Sequence, residues 1–388
     1  PRPRAPRSSS SRGAMGGGSS KPSGAKKASD AKQLAELEDD AIETAKRDPG
    51  EDDEQVYEYV YRKRNATKVP AEVAFFSNLK VLDLSWNLLQ RLSGELMTRI
   101  RKLRKLNLAY NELRELPDDI GVLRQLRDLD VGTNQLCFLP ESLDNCMLME
   151  SLRAGTNQLE AFPHEIRGFT ALHTLDLQEN QLRKVGKTLG TLVSLTWLNL
   201  SANKIPSLPD ELSRLTQLTV LDVSDNKLTK LPAGIGKCTC LKSLNLNYNA
   251  IENVPKELSF CRDLEVFRIS HNQVRLLPME ICDMLKLVEV TASNNRLISL
   301  VGAWENLQQL RVLDVSHNDI DFVPSAIGHL NIKDLKVNDN PHIKIPERIT
   351  TMGTRALCCY LQTVGEQHIL IDRHMDKFVY AELSSKGN

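Results

Sequence analysis

No charge of one sign is in excess in this chain: 50 basic residues balance 50 acidic ones, which removes any bulk attraction to nucleic acid or to an anionic surface. No apolar run approaches the length of a membrane span, and no apolar segment with a cleavage site opens the chain. The first residue is Pro1 rather than Met, which leaves open a longer protein upstream. Catalytic sets are missing too. Gly16-Gly17-Gly18-Ser19-Ser20-Lys21 lacks the spacing of a phosphate-binding loop and has no strand before it. The eight histidines are scattered, and although His271 and His317 share a repeat position, no Cys or carboxylate set completes a metal site. The sequence therefore predicts no catalytic residue, no metal and no cofactor.

What is there is a ruler. Asparagine recurs at Asn87, Asn111, Asn134, Asn157, Asn180, Asn203, Asn226, Asn249, Asn272, Asn295, Asn318 and Asn340; nine of the eleven gaps are 23 residues, the first is 24 and the last 22. Apolar residues keep step, as Leu218, Leu221 and Val223 before Asn226 and Leu228 and Leu231 after it. A period of this length with L-x-x-L-x-L-x-x-N-x-L predicts a leucine-rich repeat solenoid, an α/β horseshoe with a parallel concave sheet and short helical or 3₁₀ convex turns. Each x-L-x-L-x segment, such as Val81-Leu82-Asp83-Leu84-Ser85, reads as a strand with leucines inward and alternate residues outward. The asparagine reads as the residue that satisfies backbone groups between adjacent turns. Proline follows it by six residues in nine of twelve units, Ser93, Gly186 and Val301 being the exceptions, and an apolar residue stands three further on in all twelve.

The flanks differ. Residues 1–29 carry seven Lys/Arg and no acid and are expected to be a disordered basic tail. Residues 30–55 carry eleven acids against three bases; Leu34, Leu37, Ala41, Ile42 and Ala45 predict an acidic helix over 30–47, followed by a linker to residue 55. One frame upstream of Asn87 falls on Arg64, which places Val56, Tyr59, Tyr61, Val69 and Pro70 in apolar and proline positions. This predicts a degenerate cap unit, so that the solenoid covers 56–350. Over 351–388 the expectation is a capping helix, with Leu357, Tyr360, Leu361 and Val364 on one stripe, and a tail.

Cys146, Cys238 and Cys261 each stand eleven residues before a ladder asparagine, where Leu123, Phe169 and Leu192 stand in other units. They read as small core residues. Cys358 and Cys359 are adjacent, and Cys238-x-Cys240 has no second pair. All eight are expected to be reduced thiols of an intracellular, cytoplasmic protein.

The 23-residue unit with a following x-x-I-G-x-L, as in Leu116-Pro117-Asp118-Asp119-Ile120-Gly121-Val122-Leu123 and Leu231-Pro232-Ala233-Gly234-Ile235-Gly236, resembles the short repeats of Ras-group and Ras-suppressor proteins and of Scribble/Erbin-type scaffolds. Asn338-Asp339-Asn340-Pro341 followed by Gly353-Thr354-Arg355 is similar to the end of such arrays. The resemblance spans residues 70–364 and implies a non-catalytic scaffold in small-GTPase or polarity signalling, with a small GTPase or its effector as partner. Fold alone does not fix function. A targeting portion of a larger kinase, phosphatase or ubiquitin ligase, and a part of a cytoskeletal or ciliary assembly, are the alternatives.

The outward strand positions carry eleven acids (Asp83, Asp128, Asp130, Asp176, Glu179, Asp222, Asp225, Glu289, Asp314, Asp334 and Asp339) against Lys105, Arg153, Arg268 and Lys336. An acidic concave face favours a basic protein segment and disfavours nucleic acid; the bland alternative is that each Asp orders its own loop. Trp197 is out of pattern, standing where other units carry Val, Ser, Thr, Lys or an acid. With Arg153, Asp176, Asn199, Asp222, Asp130, Arg268 and Tyr248 it composes the expected partner-binding site, unless the ring lies flat on neighbouring strands. Trp86, Tyr110 and Tyr248 form a column one residue before the asparagine that could rim the groove or pack loop to loop, and Trp304 falls in a core column. A basic run at Arg99, Arg101, Lys102, Arg104 and Lys105, near Arg62-Lys63-Arg64, reads as a dock for acidic protein or anionic lipid, as a partner of the acidic 36–54 segment of the same chain, or as a solvated surface. The chain is expected to act as a monomer.

Overall fold

The computed structural model describes residues 42–47 and 56–363. Within them fourteen strands form one sheet in chain order. They are β1 (Ile42–Arg47), β2 (Val56–Arg62), β3 (Val81–Asp83), β4 (Lys105–Asn107), β5 (Asp128–Asp130), β6 (Ser151–Arg153), β7 (Thr174–Asp176), β8 (Trp197–Asn199), β9 (Val220–Asp222), β10 (Ser243–Asn245), β11 (Val266–Arg268), β12 (Glu289–Thr291), β13 (Val312–Asp314) and β14 (Asp334–Lys336). From β2 onward all pairings are parallel and in repeat register, as Leu175↔Leu198 and Leu198↔Leu221. The central residue of each short strand, leucine in all but β11 (Phe267) and β12 (Val290), is buried beneath the sheet, and one apolar cluster runs from Val56 to Leu361. Strands lie about 4.8 Å apart, closer than the wider turns on the opposite side can pack, so the strand face is the inner, concave one.

The return legs turn through short 3₁₀ segments, such as Asp118–Val122 and Ala233–Lys237, each opened by a proline with φ of −68°. The pyrrolidine ring presets that angle and has no N–H to waste. The two irregular gaps are absorbed here. In the first unit the extra residue widens the turn into a helix, α1 (Gly94–Arg99). In the last, Leu330 takes ψ 153° where the equivalent Leu123 and Cys146 take 57° and 54°, straightening the exit and saving one residue.

The asparagines do what their spacing implied, through a specific shortage. The residue before each of the twelve is left-handed, with φ between 49° and 58°. That twist aims two successive amides at the next unit, as Glu179 N–H to Ser201 O at 2.9 Å. The amide two residues past the asparagine then has no backbone acceptor, and the next unit's carboxamide supplies one: Leu159 N–H donates to Asn180 Oδ1 at 2.9 Å. The Nδ2 of Asn180 donates back to Ala154 O, Leu177 O and Gln178 O at 3.0–3.2 Å. The same set recurs at every rung. At the upstream end Lys63 is left-handed too (φ 54°), and the amides of Arg64 and Ala66 both donate to Asn87 Oδ1. Arg64 thus stands on a rung without the side chain. Tyr59 fills the leucine position, 3% exposed, with its hydroxyl on Glu72 at 3.1 Å.

The helix expected over 30–47 is corrected where it can be seen. Residues 42–47 are strand β1, antiparallel to β2. The spacing of Ile42 and Ala45 suits either structure over so short a stretch, and the open edge of β2 decides: pairing satisfies its backbone groups, which a helix could not. Residues 1–41, 48–55 and 364–388, with the basic tail, the linker, Val364 and the C-terminal tail, lie outside the described residues. At the other end α2 (Glu347–Thr351) leads into α3, helical over 354–363. Thr354 Oγ1 accepts the Leu335 N–H of β14 at 2.9 Å, the edge donor that a fifteenth strand would have met. Leu357 and Leu361 are buried against the core, and Gln362 Nε2 donates to Gly328 O at 2.7 Å.

All eight cysteines are free thiols. Cys146, Cys238 and Cys261 are fully buried, each Sγ turned to a carbonyl of the preceding unit at 3.3–3.7 Å. Burial pushes their thiols up to about 12, 11 and 12 respectively.

Two outcomes are expected. Asn180→Ala strips a buried amide of its acceptor and three carbonyls of a donor, and should lower unfolding free energy by about 3 kcal/mol in urea titration; Gln158→Ala, on the exposed flank of a rung, should change it by less than about 0.5 kcal/mol. In the native protein at pH 8 a disulfide reagent should label Cys137 and Cys359 first and reach Cys146, Cys238 and Cys261 only on unfolding.

Candidate binding face

Register brings most of the expected site residues into one row. Asp130, Arg153, Asp176, Asn199 and Asp222 stand four residues before their asparagines on β5 to β9, and each pairs directly with the next across the sheet. Asn245 follows, then Arg268 on β11. Trp197 opens β8 between Thr174 and Val220, diagonal to Asp176 and Asp222, and its side chain is half-buried. Tyr248 is not in the row. It occupies the left-handed position at the rim, 51% exposed, stacked on His271 at 4.2 Å.

Each Asp or Asn of the row orders its own loop with one oxygen. Oδ1 of Asp130, Asp176, Asn199 and Asp222 accepts the amide two residues on, at 2.9–3.1 Å. The loop-ordering reading thus holds for half of each group. For Asn199 it holds for the whole, because its Nδ2 donates to Gln178 Oε1 at 2.8 Å and the side chain is buried. The carboxylates keep Oδ2 toward the groove, and that of Asp222 takes a bond from Asn245 at 2.9 Å.

The charge is less evenly spread than a count suggests. Every base of the face is bound to an acid at one flank or the other. Lys105 and Arg153 both meet Asp128, at 3.9 and 3.2 Å. Arg268 makes a two-pronged pair with Glu289, at 2.6 and 3.1 Å. Lys336 meets Asp334 and Asp314, and Arg62 is paired with Asp83. Among the described residues no cation pairs with Asp130, Asp176, Glu179, Asp222 or Asp225. The unneutralised charge lies from β5 to β9, around Trp197.

The titration of the row follows. Burial pushes Asp130 and Asp176 up, their backbone hydrogen bonds and the neighbouring Arg153 opposing it only in part, and repulsion adds to it, from Asp128 and Asp83 on Asp130 and from Asp130 and Glu179 on Asp176. Asp83 is also pushed up by burial, but its hydrogen bonds from Arg62 and Ser85 prevail and hold it below the ordinary range. The signs are opposite in stability. The contribution of Asp83 is present above the unfolded-state value and lost as pH falls through its lowered one. Asp130 and Asp176 disfavour the fold once pH rises through the unfolded-state value, about 3.9, toward their raised ones.

One feature escaped the sequence reading. Gly132 and Gly155 stand two residues before their asparagines, where the other units carry Ser, Ala, Gln or Asn. Gly132 follows β5 and Gly155 follows β6, where it is buried and a Cβ would meet Gln178 Cγ at 2.9 Å. Of the rim column, read as lining the groove or packing loop to loop, Trp86 stacks on Tyr110 at 3.8 Å, with Lys63 Nζ 5.6 Å over Trp86. The basic run is partly spent locally, Arg99 on Glu95 at 2.8 Å and Lys102 on Asn78. Trp304 is fully buried. Among the described residues no group of His, Cys, Asp or Glu is placed to hold a metal ion, and no helix is long and apolar enough to cross a membrane.

Comparison with known proteins agrees with the geometry. Leucine-rich repeat family models match residues 63–113, 77–136, 170–228 and 216–274, and a single-repeat model matches 309–330. A leucine-rich repeat protein of Leptospira interrogans is similar in structure, with a TM-score of 0.63 and 30% identity over 73% of this chain and 78% of that one. The plant peptide hormone receptor RGFR1, solved in complex with RGF2, aligns with a TM-score of 0.61 and 26% identity over 70% of this chain, which spans 50% of the receptor's length. The internalin InlF of Listeria monocytogenes shares the fold at 22% identity, with a TM-score of 0.67 over 75% of this chain and 83% of that one. No curated protein sequence gives a significant match.

Asparagine serves the same loop bond as aspartate in this row, so Asp176→Asn should fold normally and raise the urea midpoint at pH 7. The gain should shrink as pH falls through the raised value of the parent carboxylate, which protonation then neutralises; a gain independent of pH would contradict the assignment.

Proposed function

The chain belongs to the leucine-rich repeat family, and on that premise we propose that it is a non-catalytic scaffold whose strand face, from β5 to β9, binds a basic segment of a protein partner. One observation carries this reading: among the described residues no cation pairs with Asp176 and Asp222, which flank the strand of Trp197, with Asp130 further up the row, or with Glu179 and Asp225 at the rim, and Trp197 is the one large aromatic side chain on the described strands' outward positions from β3 to β14. A half-buried tryptophan offers contact area at low entropic cost, and unpaired acids around it select the partner's charge. The raised state of Asp130 and Asp176 adds a driving force, since an incoming cation relieves a charge that burial disfavours. Arg153, held by Asp128 at 3.2 Å, lies within the patch between Asp130 and Asp176, and Arg268 marks its downstream limit.

The partner we propose, from the resemblance of the repeat unit to Ras-group proteins, is a small GTPase or its effector, and the absence of disulfides among the eight cysteines supports a reducing, cytoplasmic setting. RGFR1, a peptide hormone receptor by description, is an instance of a repeat array that recognises a peptide, which supports the surface reading without naming this chain's partner.

Calorimetry with a lysine- and arginine-rich peptide tests the surface. Binding should weaken as salt rises, and Trp197→Ala should weaken it by roughly 2 kcal/mol, the order of a hot-spot residue. Asp176→Asn should weaken it less and Asn199→Ala hardly at all. Equal affinity in the Trp197→Ala protein would remove the strand face from consideration. For the narrower reading, purified GTPases loaded with GDP or a GTP analogue should be retained in a nucleotide-dependent way, and a Trp197→Ala/Arg153→Glu protein should lose them.

A further inference from the structure

A second feature lies away from the strand face, on the return legs. A cavity of about 450 Å³ opens there between neighbouring turns, lined by Asp118, Phe138, Pro140, Glu141, Ser142 and Glu165. Phe138 stands four residues after its ladder asparagine, where the flanking units carry Glu115 and Ala161, and its ring is 56% exposed. Asp118 and Glu141 occupy the same position in consecutive units, and among the described residues no cation pairs with either. Glu165 is the unusual member. Its side chain is only 9% exposed, Oε1 faces His164 Nδ1 at 3.3 Å, and Oε2 is buried with no hydrogen-bond partner. Ser142 Oγ, beside it in the lining, is buried and unpartnered as well.

Buried acceptors in folded proteins are almost always satisfied, so an orphaned carboxylate oxygen in a cavity wall asks what donor it awaits. A metal ion does not fit: among the described residues no three carboxylates, histidines or cysteines converge closely enough to hold one. The acids are instead spread around an exposed aromatic face. That arrangement suits a flat, extended cation carrying several donors in fixed directions, which can stack on a ring while reaching oxygens at its edge. We propose that this cavity receives an arginine side chain presented by a protein partner, its guanidinium over Phe138 and its N–H groups directed to Glu165, with Glu141 and Asp118 completing the charge. A lysine ammonium, a compact point charge, cannot span the same set, and selectivity for arginine follows. The site is independent of the strand face and of the reading given to it.

The probe is a capped five-residue peptide with one arginine flanked by glycine and serine, titrated into the full chain and followed by amide NMR shifts. Saturable shifts are expected at 138–142 and 165, with the lysine peptide several-fold weaker and the glutamine peptide silent. Glu165→Gln and Phe138→Ser should each weaken arginine-peptide binding at least tenfold, Phe138→Ser being a surface change that leaves folding intact. Trp197→Ala should leave it unchanged, which separates this site from the strand face. Shifts confined to the strand face, equal affinity of the arginine and lysine peptides, or undiminished binding in the Phe138→Ser protein would each overturn the proposal.

Discussion

In every unit the amide two residues past the ladder position is left without a backbone acceptor, and the carboxamide of the following unit supplies it. The rest of the architecture depends on that bond. It ties each unit to its successor, so no unit is complete alone and stability accumulates by neighbours. It also fixes the register of the strands, and register alone places Asp130, Arg153, Asp176, Asn199 and Asp222 side by side. The left-handed residue before each asparagine belongs to the same arrangement. Side chains other than glycine tolerate that conformation poorly, yet here twelve adopt it in succession. Where aromatic rings occupy the position they stack, Trp86 on Tyr110 and Tyr248 on His271, which offsets part of the strain.

The strand face shows how one residue type in one position takes opposite electrostatic roles. Asp83 has Arg62 and is held in its charged form; Asp130 and Asp176 have no such partner among the described residues and are pushed toward the neutral one. The loop-ordering bond from Oδ1 is common to all three. What differs is whether a base in an adjacent unit can reach Oδ2. The bases of the face are taken up by Asp128, Glu289, Asp314 and Asp334, so the stretch around Trp197 is acidic by default of partners rather than by excess of acids.

Much of the fold was legible because the ladder residue is chemically specific: few side chains both accept and donate at that spot, so its period reports the structure directly. The same frame found the rung at Arg64, where the side chain is gone but the backbone geometry persists. It did not find β1. Ile42 and Ala45 fit a helical stripe, and only the unsatisfied edge of β2, a tertiary fact, settles the matter for residues 42–47. Site residues were legible as positions, not as contacts. Trp197 and the acidic row could be placed by counting. That Asn199 would be fully engaged with Gln178 and Ser201, or that Glu165 would be left with an orphaned oxygen, depends on side-chain directions that a periodic count does not carry.

The antiparallel strand β1 has one more consequence. A stack of parallel strands offers unlike edges at its two ends, and those edges match each other, so such arrays can join head to tail into filaments. Reversing a single strand at one end removes that match: the edge of β1 is not the parallel one that β14 would pair with, and the free amide of β14 is already taken by Thr354.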